Sequence, residues 1–279
     1  MVPETENQPF QPRKLKEDDM YGKLGYTLNL LQPNIYQFES RGVGCHVYLI
    51  LSDELNVLID SGIITKFPSF NYLLASVVGL STEDIDLIIN THEHFDHISS
   101  NCYFPTKCPV AAHKSAAAII QFDDEMITMT KKHSIDIKQF KVHFWLEDGN
   151  VFDLGNVRLK VVATPGHSSG SICIFEPEKR FLFTGDTLFK GAAANIYQSG
   201  SISELMDSLR LLDSLRINMV YPGHGKIMSG QEEVSQEIAN SLVQAQQALD
   251  AYIDRITSKP VEDIKIPPSL YNRDPDDAE

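Results

Sequence analysis

Cysteine is scarce in this chain, and the four present (Cys45, Cys102, Cys108 and Cys173) include no C-x-x-C pair. They sit among apolar or small residues, which points to buried free thiols and away from a disulfide framework or a zinc knuckle. That usage implies a reducing, intracellular compartment, and we expect a cytoplasmic protein. No apolar run reaches the ~20 residues that a membrane-spanning helix needs. The polar N-terminus, with three prolines before Lys14, has no apolar signal-like segment. Positive charge is also short, since 24 Lys and Arg against 38 Asp and Glu leave a formal net charge of −14. Nucleic-acid backbones are gripped by clustered cations, so a nuclease is disfavoured and neither nucleic acid nor membrane is expected as a partner. The remaining composition, 42% hydrophobic over 279 residues, suffices for a substantial core.

Against this background the stretch Thr91-His92-Glu93-His94-Phe95-Asp96-His97 is unusual. His92, His94, Asp96 and His97 crowd into one turn directly after the apolar run Asp86-Leu87-Ile88-Ile89-Asn90, which reads as a buried strand. Imidazole and carboxylate without thiolate suit zinc, iron or manganese, and more than three such groups at one strand end can begin two adjacent sites. A chance polar loop explains one histidine more easily than this cluster, because buried polar groups need partners.

Along the chain, residues 1–25 read as a flexible leader or a strap over the surface. Short strands follow at Ile35 to Phe38, His46 to Leu51 and Val57 to Ile59, the last running into Asp60-Ser61-Gly62. Asp60 is either a turn former or a carboxylate that orients a ligand histidine, and the latter is favoured. Pro68 to Val78 has helical spacing with Gly79 as its stop, so a helix precedes the motif strand as in a βαβ unit. A strand at Val110 to Ala112 and a helix from Lys114 to Phe122 continue the alternation. Asp123 to Ile137 reads as an insertion. Its Met126, Ile127 and Met129, with Phe140, Phe144 and Trp145, line an apolar pocket, form a homodimer face or belong to ordinary core. His133 and His143 are expected to be solvated or structural. Strands are expected at Lys141 to Phe144, Val157 to Ala163, Ser171 to Phe175, Phe181 to Thr184 and Met219 to Tyr221. A helix is expected from Ser203 to Leu215, capped by Ser201 or Ser203. A final helix, Gln231 to Ile256, carries one apolar stripe from Val234 through Ile238, Leu242, Ala245, Leu249 and Tyr252 to Ile256. We expect one domain over residues 26–258 and a loose acidic tail over 259–279.

Three later stretches again put a candidate ligand just after a strand: Thr164-Pro165-Gly166-His167, Thr184-Gly185-Asp186-Thr187, and Tyr221-Pro222-Gly223-His224-Gly225. Each is a weak signal alone. In this order, after the first cluster, they resemble the metallo-β-lactamase superfamily, whose first motif reads His-x-His-x-Asp-His and whose later ligands are a His, a bridging Asp and a last His. The resemblance covers roughly Asn34 to Ile227. It implies an α/β fold, a four-layer αββα sandwich of two mixed sheets flanked by helices, with two divalent metal ions, most simply zinc, at one edge. It also implies His92, His94 and His167 on one metal, Asp96, His97 and His224 on the other, and Asp186 bridging both.

Such a pair, ~3.5–4 Å apart, makes a bridging hydroxide available near neutral pH for attack on an ester, thioester or lactone carbonyl of a small acyl compound. Asp96 would then manage the proton as the catalytic acid-base group. His94 stands where flavodiiron relatives carry Glu. The acidic balance disfavours the RNA-processing members, and antibiotic-hydrolysing members usually lack this Asp-His pair or the bridging Asp. The glyoxalase II, acyl-homoserine lactonase and persulfide dioxygenase neighbourhood remains, with a mononuclear iron persulfide dioxygenase as the alternative. A catalytically silent scaffold is disfavoured because no ligand position is missing. Glyoxalase II enzymes follow Gly-Asp-Thr-Leu-Phe with a basic residue and a Tyr that grip glutathione. Here Gly185 to Phe189 match and Tyr197 fits the substrate-binding Tyr. Asn195 occupies the basic position, however, and Ala192-Ala193-Ala194 replaces Gly-Cys-Gly, so S-lactoylglutathione is expected to be a poor substrate. Lactonases place a Tyr where this chain has Phe189.

Overall fold

Alternating apolar residues, broken by glycine and acidic turns, produce short strands, and longer runs at helical spacing produce the helices between them. The computed structural model describes residues 13–15, 25–122, 124–129, 140–196 and 199–258. In chain order the elements are β1 (Arg13–Leu15), β2 (Tyr26–Gln32), β3 (Ile35–Ser40), β4 (Val47–Leu51), β5 (Asn56–Ile59), α1 (Phe67–Leu73), β6 (Leu87–Ile89) and α2 (Phe95–Ile98). Next come β7 (Val110–His113), α3 (Lys114–Gln121), α4 (Glu125–Thr128), β8 (Phe144–Leu146), β9 (Val151–Asp153), β10 (Arg158–Ala163) and β11 (Ile172–Glu176). The chain continues with β12 (Phe181–Gly185), α5 (Ile202–Ser214), β13 (Met219–Pro222), β14 (Met228–Ser229) and α6 (Gln231–Thr257).

The first eight strands form one sheet in chain order, antiparallel from β1 to β5 and parallel from β5 to β8. A second sheet has the order β14-β13-β12-β11-β10-β9, with β12 and β13 its parallel pair. Because side chains alternate across a strand, each sheet has two apolar faces. Tyr48, Ile50, Val57 and Ile59 meet Leu159, Val161, Ile174 and Phe183 between the sheets. On the far side of the first sheet, Leu28, Phe38, Leu58 and Ile88 pack on Phe70, Leu73 and Leu74 around α1. Across the second sheet, Val162, Leu182 and Val220 pack on Leu205, Leu209 and Leu212 of α5 and on Val234 and Ile238 of α6. The result is the expected α/β sandwich of helix, sheet, sheet and helix. Each fully buried aliphatic side chain contributes about 1.5–3 kcal/mol to it.

Several local expectations shift. Edge strand β8 covers Phe144–Leu146 and not Lys141 to Phe144, since its register with β7 begins at the Ala111 and Phe144 pair. β9 and β14 were not expected, being too short to display a period. Beyond α1 the chain widens into a π-helical turn, where Gly79 N and Leu80 N both donate to Leu74 O, and it ends at Gly79 with φ 84°. Phe140 is buried against Ile98 and Ile120, whereas Phe144 and Trp145 are exposed. His143 is exposed and structural, its Nδ1 accepting from Val110 N at 3.0 Å. The α6 stripe is buried only as far as Ala245, and Tyr252 and Ile253 are half exposed. A 27-residue helix is ~40 Å long, and only the part up to Ala245 is buried. Inside the expected leader, β1 pairs with β2. The remaining expectations for residues 1–24, for His133 and most of the insertion, for Tyr197 and for the acidic tail fall outside the described residues. Among the described residues no helix is long and apolar enough to cross a membrane.

Candidate metal centre

Strand β6 stops at Ile89, and the next residues turn sharply so that α2 can begin after His94, whose φ of −70° and ψ of 147° are extended. The turn is held by Asp60, at the end of the parallel neighbour β5. Asp60 Oδ1 accepts from Thr91 N at 2.7 Å, and Oδ2 accepts from Thr91 Oγ1 at 2.8 Å and from His97 Nδ1 at 2.8 Å. With its Nδ1 proton committed to Asp60, His97 presents Nε2 to the interior of the site. The backbone of Asp60 has φ 59°, a left-handed conformation that a non-glycine residue adopts at some cost.

The other three turns arrive from the second sheet. Gly166, before His167, has φ 148°, and a Cβ there would lie 2.4 Å from Leu205 Cα, so no larger residue fits. His167 Nδ1 donates to Asn195 O at 2.6 Å, which again leaves Nε2 facing inward. A Cβ on Gly223 would meet Asp186 Oδ1 at 2.6 Å and His97 Cε1 at 2.9 Å, so glycine lets the His224 turn approach the centre.

All four turns converge. His167 Nε2 and His94 Nδ1 lie 2.9 Å apart, and with His92 they form one group of nitrogens close enough to share an ion. Asp96, His97 and His224 form a second such group, with His224 Nε2 3.2 Å and His97 Nε2 3.8 Å from Asp96 Oδ2. Asp186 lies between the two. Its Oδ2 is 3.5 Å from His167 Nε2 and 3.5 Å from His224 Nε2, while Oδ1 is 3.2 Å from His97 Nε2. The His97 contact is out of line for a hydrogen bond: His92 Nε2, His97 Nε2 and Asp186 Oδ1 are all buried without a partner among the described residues. Three orphaned atoms of this kind at one point are what a cation would satisfy.

The electrostatics agree. Burial drives the His92 imidazole well below its ordinary value, with the neighbouring histidines adding to it, and takes His94 down to about 4. Both are therefore neutral donors. Burial opposes a charge on His97, but Cys45, Asp186, Asp60 and Asp96 together push its pKa well above the ordinary value. Burial also opposes the Asp186 carboxylate, yet His97, His224 and His167 hold it well below the usual range. Positive charge thus belongs at this point, supplied by a proton on His97 or by a metal ion.

The sequence profile of the metallo-beta-lactamase superfamily matches residues 40–224. The chain belongs to this superfamily. It is similar to the probable metallo-hydrolase MJ0888 of Methanocaldococcus jannaschii, 32% identical over 202 residues, which cover 69% of this chain and 93% of that one. It is also similar to the acyl-coenzyme A thioesterase MBLAC2 of Bos taurus, 27% identical over 226 residues, covering 72% and 79% of the two chains. Among solved structures, TTHA1623 in a di-iron-bound form superposes with a TM-score of 0.56 and 27% identity, covering 69% of this chain and 93% of that one. This superfamily member is a metal-dependent hydrolase, and its fold implies divalent metal ions.

The superfamily motif leaves the residue between the first two histidines open, and here it matters. Glu93 is fully buried, with Oε2 accepting from Ser168 Oγ at 3.0 Å and Oε1 from Ser199 Oγ at 3.1 Å. Burial raises its pKa, and these hydrogen bonds work against that shift. The carboxyl therefore ties the motif turn to the His167 turn and to the end of the loop after Asp186. Nothing in the sequence marked it, because its partners are distant serines. Phe189 lies with its ring edge-on to His224, the centroids 6.0 Å apart.

Proposed function

We propose that this chain is a dinuclear metallohydrolase of acyl thioesters. His92, His94 and His167 would hold one cation and Asp96, His97 and His224 the other, with Asp186 between the two groups. The position of Asp186, within 3.5 Å of His167 on one side and of His97 and His224 on the other, carries this reading. Zinc is the cation we propose, and the di-iron form of TTHA1623 makes iron the alternative. When bound, such ions supply Lewis acidity, polarising a carbonyl and bringing the pKa of a water towards neutrality. The chain's own residues do the rest. Asp60 and Asn195 O keep the Nδ1 protons of His97 and His167, so both rings present lone pairs inward. Asp96, part-exposed at the mouth beside His224, would turn Oδ2 to the cation and, with its other oxygen, take a proton from the attacking water and return it to the leaving group. Thioesters fit because a thiolate leaves more readily than an alkoxide, and because MBLAC2 carries that activity in its name. The mononuclear oxygenase alternative uses one metal and leaves the Asp96, His97 and His224 group without a role. The four free cysteines fit the cytoplasmic setting expected from the sequence.

Metal analysis with a substrate panel tests this. We expect two ions per chain by native mass spectrometry after loading. Acyl thioesters that lack the glutathione moiety, and neutral esters or lactones, should show higher kcat/KM than S-lactoylglutathione. Loss of each charge-assisted anchor for that anionic tripeptide weakens binding by roughly 1.5–3 kcal/mol. At most one ion at saturation sinks the dinuclear assignment, and S-lactoylglutathione ahead of every neutral compound sinks the substrate preference.

Asp60→Asn probes the orientation of His97. Asparagine tolerates φ near 59° and keeps the turn, but it brings no charge to the His97 proton. Affinity for the ion at Asp96, His97 and His224 should fall roughly 10–100-fold. Chelator competition measures it, and wild-type affinity would reduce Asp60 to a turn former.

A further inference from the structure

His46 is not among the converging ligands. His46 closes the loop between β3 and β4 and is buried. All of its polar N–H and ring nitrogen atoms are engaged. Ser40 N donates to Nδ1 at 2.9 Å, Nε2 lies 2.8 Å from Gly225 O, and the backbone N donates to Gly223 O at 2.7 Å. Since Nδ1 accepts from an amide, the ring proton sits on Nε2 and is donated to Gly225 O. His46, in the loop that enters the first sheet at β4, therefore grips the carbonyls on either side of His224, in the turn that leaves the second sheet after β13. Tyr48 Oη adds a bond to Pro222 O at 2.7 Å, and Gly223 N donates to Gly185 O at 2.7 Å, beside Asp186.

His224 needs such a hold. The rings of His97 and His167 are oriented by a partner on Nδ1, whereas among the described residues none is seen on Nδ1 of His224, which is also more exposed. Its placement depends on its backbone. That backbone belongs to a turn on one sheet and must meet Asp96 and His97 on the other, so a cross-sheet tie is the element that fixes the distance.

We propose that His46 is the positioning residue for His224, clamping Gly223 and Gly225 so that the Asp96, His97 and His224 group closes around its ion. The proposal rests on reading that group as a cation site. The experiment uses the full chain with His46→Ala and His46→Gln, titrated with zinc from the metal-free state. His46→Ala keeps the backbone N–H to Gly223 O but loses both ring contacts, those to Gly225 O and Ser40 N, so the second zinc should bind roughly 10–100-fold more weakly, with the first unchanged. His46→Gln, which keeps an amide donor for Gly225 and an acceptor for Ser40, should restore most of the loss. Equal losses at both sites, or none, overturn the proposal. Wild-type protein that takes a single zinc overturns the two-cation reading instead. Histidine-selective NMR of the metal-free chain then decides the clamp separately: the His224 resonance should move in His46→Ala while those of His92 and His94 stay. An unmoved His224 resonance overturns the clamp whatever the zinc count.

Discussion

Replacing Asp186 by Ala should leave a folded chain that retains at most one tightly bound ion and loses roughly 10³-fold in kcat/KM, or about 4 kcal/mol of transition-state stabilisation. Among the described residues, Asp186 is the side chain whose two oxygens face both candidate ligand groups. Its removal also leaves the buried His97, His167 and His92 facing each other without a negative charge between them. Any cation there then rests on neutral imidazoles with no carboxylate between the two groups, a loss that no single histidine substitution would cause. Removing the carboxylate relieves its own burial, so the fold should survive with a far-UV spectrum like the parent. Metal stoichiometry and steady-state kinetics on one preparation make the test, and near-parental activity would reject the bridging assignment.

Deleting the chain from Gln231 onwards should give insoluble protein, whereas ending it at Gln246 should not. Val234, Ile238 and Ala245 are buried against α5 and the second sheet, with Leu242 packed beside them. Stripping away the two large aliphatics alone forfeits about 3–6 kcal/mol at the usual transfer values, much of a typical stability of roughly 5–15 kcal/mol. It also exposes Leu205, Leu209 and Leu212 of α5 to solvent. Residues beyond Ala245 contribute little of this, since Tyr252 and Ile253 are already half exposed. Expression and thermal melting of the two truncations separate the cases. A soluble, cooperatively melting chain without α6 would make the helix an accessory and would undo the proposal that residues 26–258 form one domain.

The candidate ligands were legible because each follows a strand and carries chemistry that a buried turn rarely tolerates without a partner. The α/β alternation was legible because period-2 apolar runs alternate with helical ones, whereas the four-layer sandwich was implied by the family resemblance that the ordered ligand motifs carry. Both signals are local, spanning a few residues around His92 to His97 or around His167, Asp186 and His224. What the tertiary structure decided is how those turns are aimed. His97 meets Asp60 across 37 positions, Glu93 meets Ser168 across 75, and His46 reaches Gly225 across 179. A hydrogen bond between such distant residues leaves no period or spacing in the chain, so the roles of Glu93 and His46 depend on which loops the sheets bring together; the strand-end position of Asp60 already favoured an orienting role, and the structure decided that His97 is its partner. The reach of α6 is of the same kind: helical periodicity predicted its stripe to Ile256, but the packing buries it only as far as Ala245.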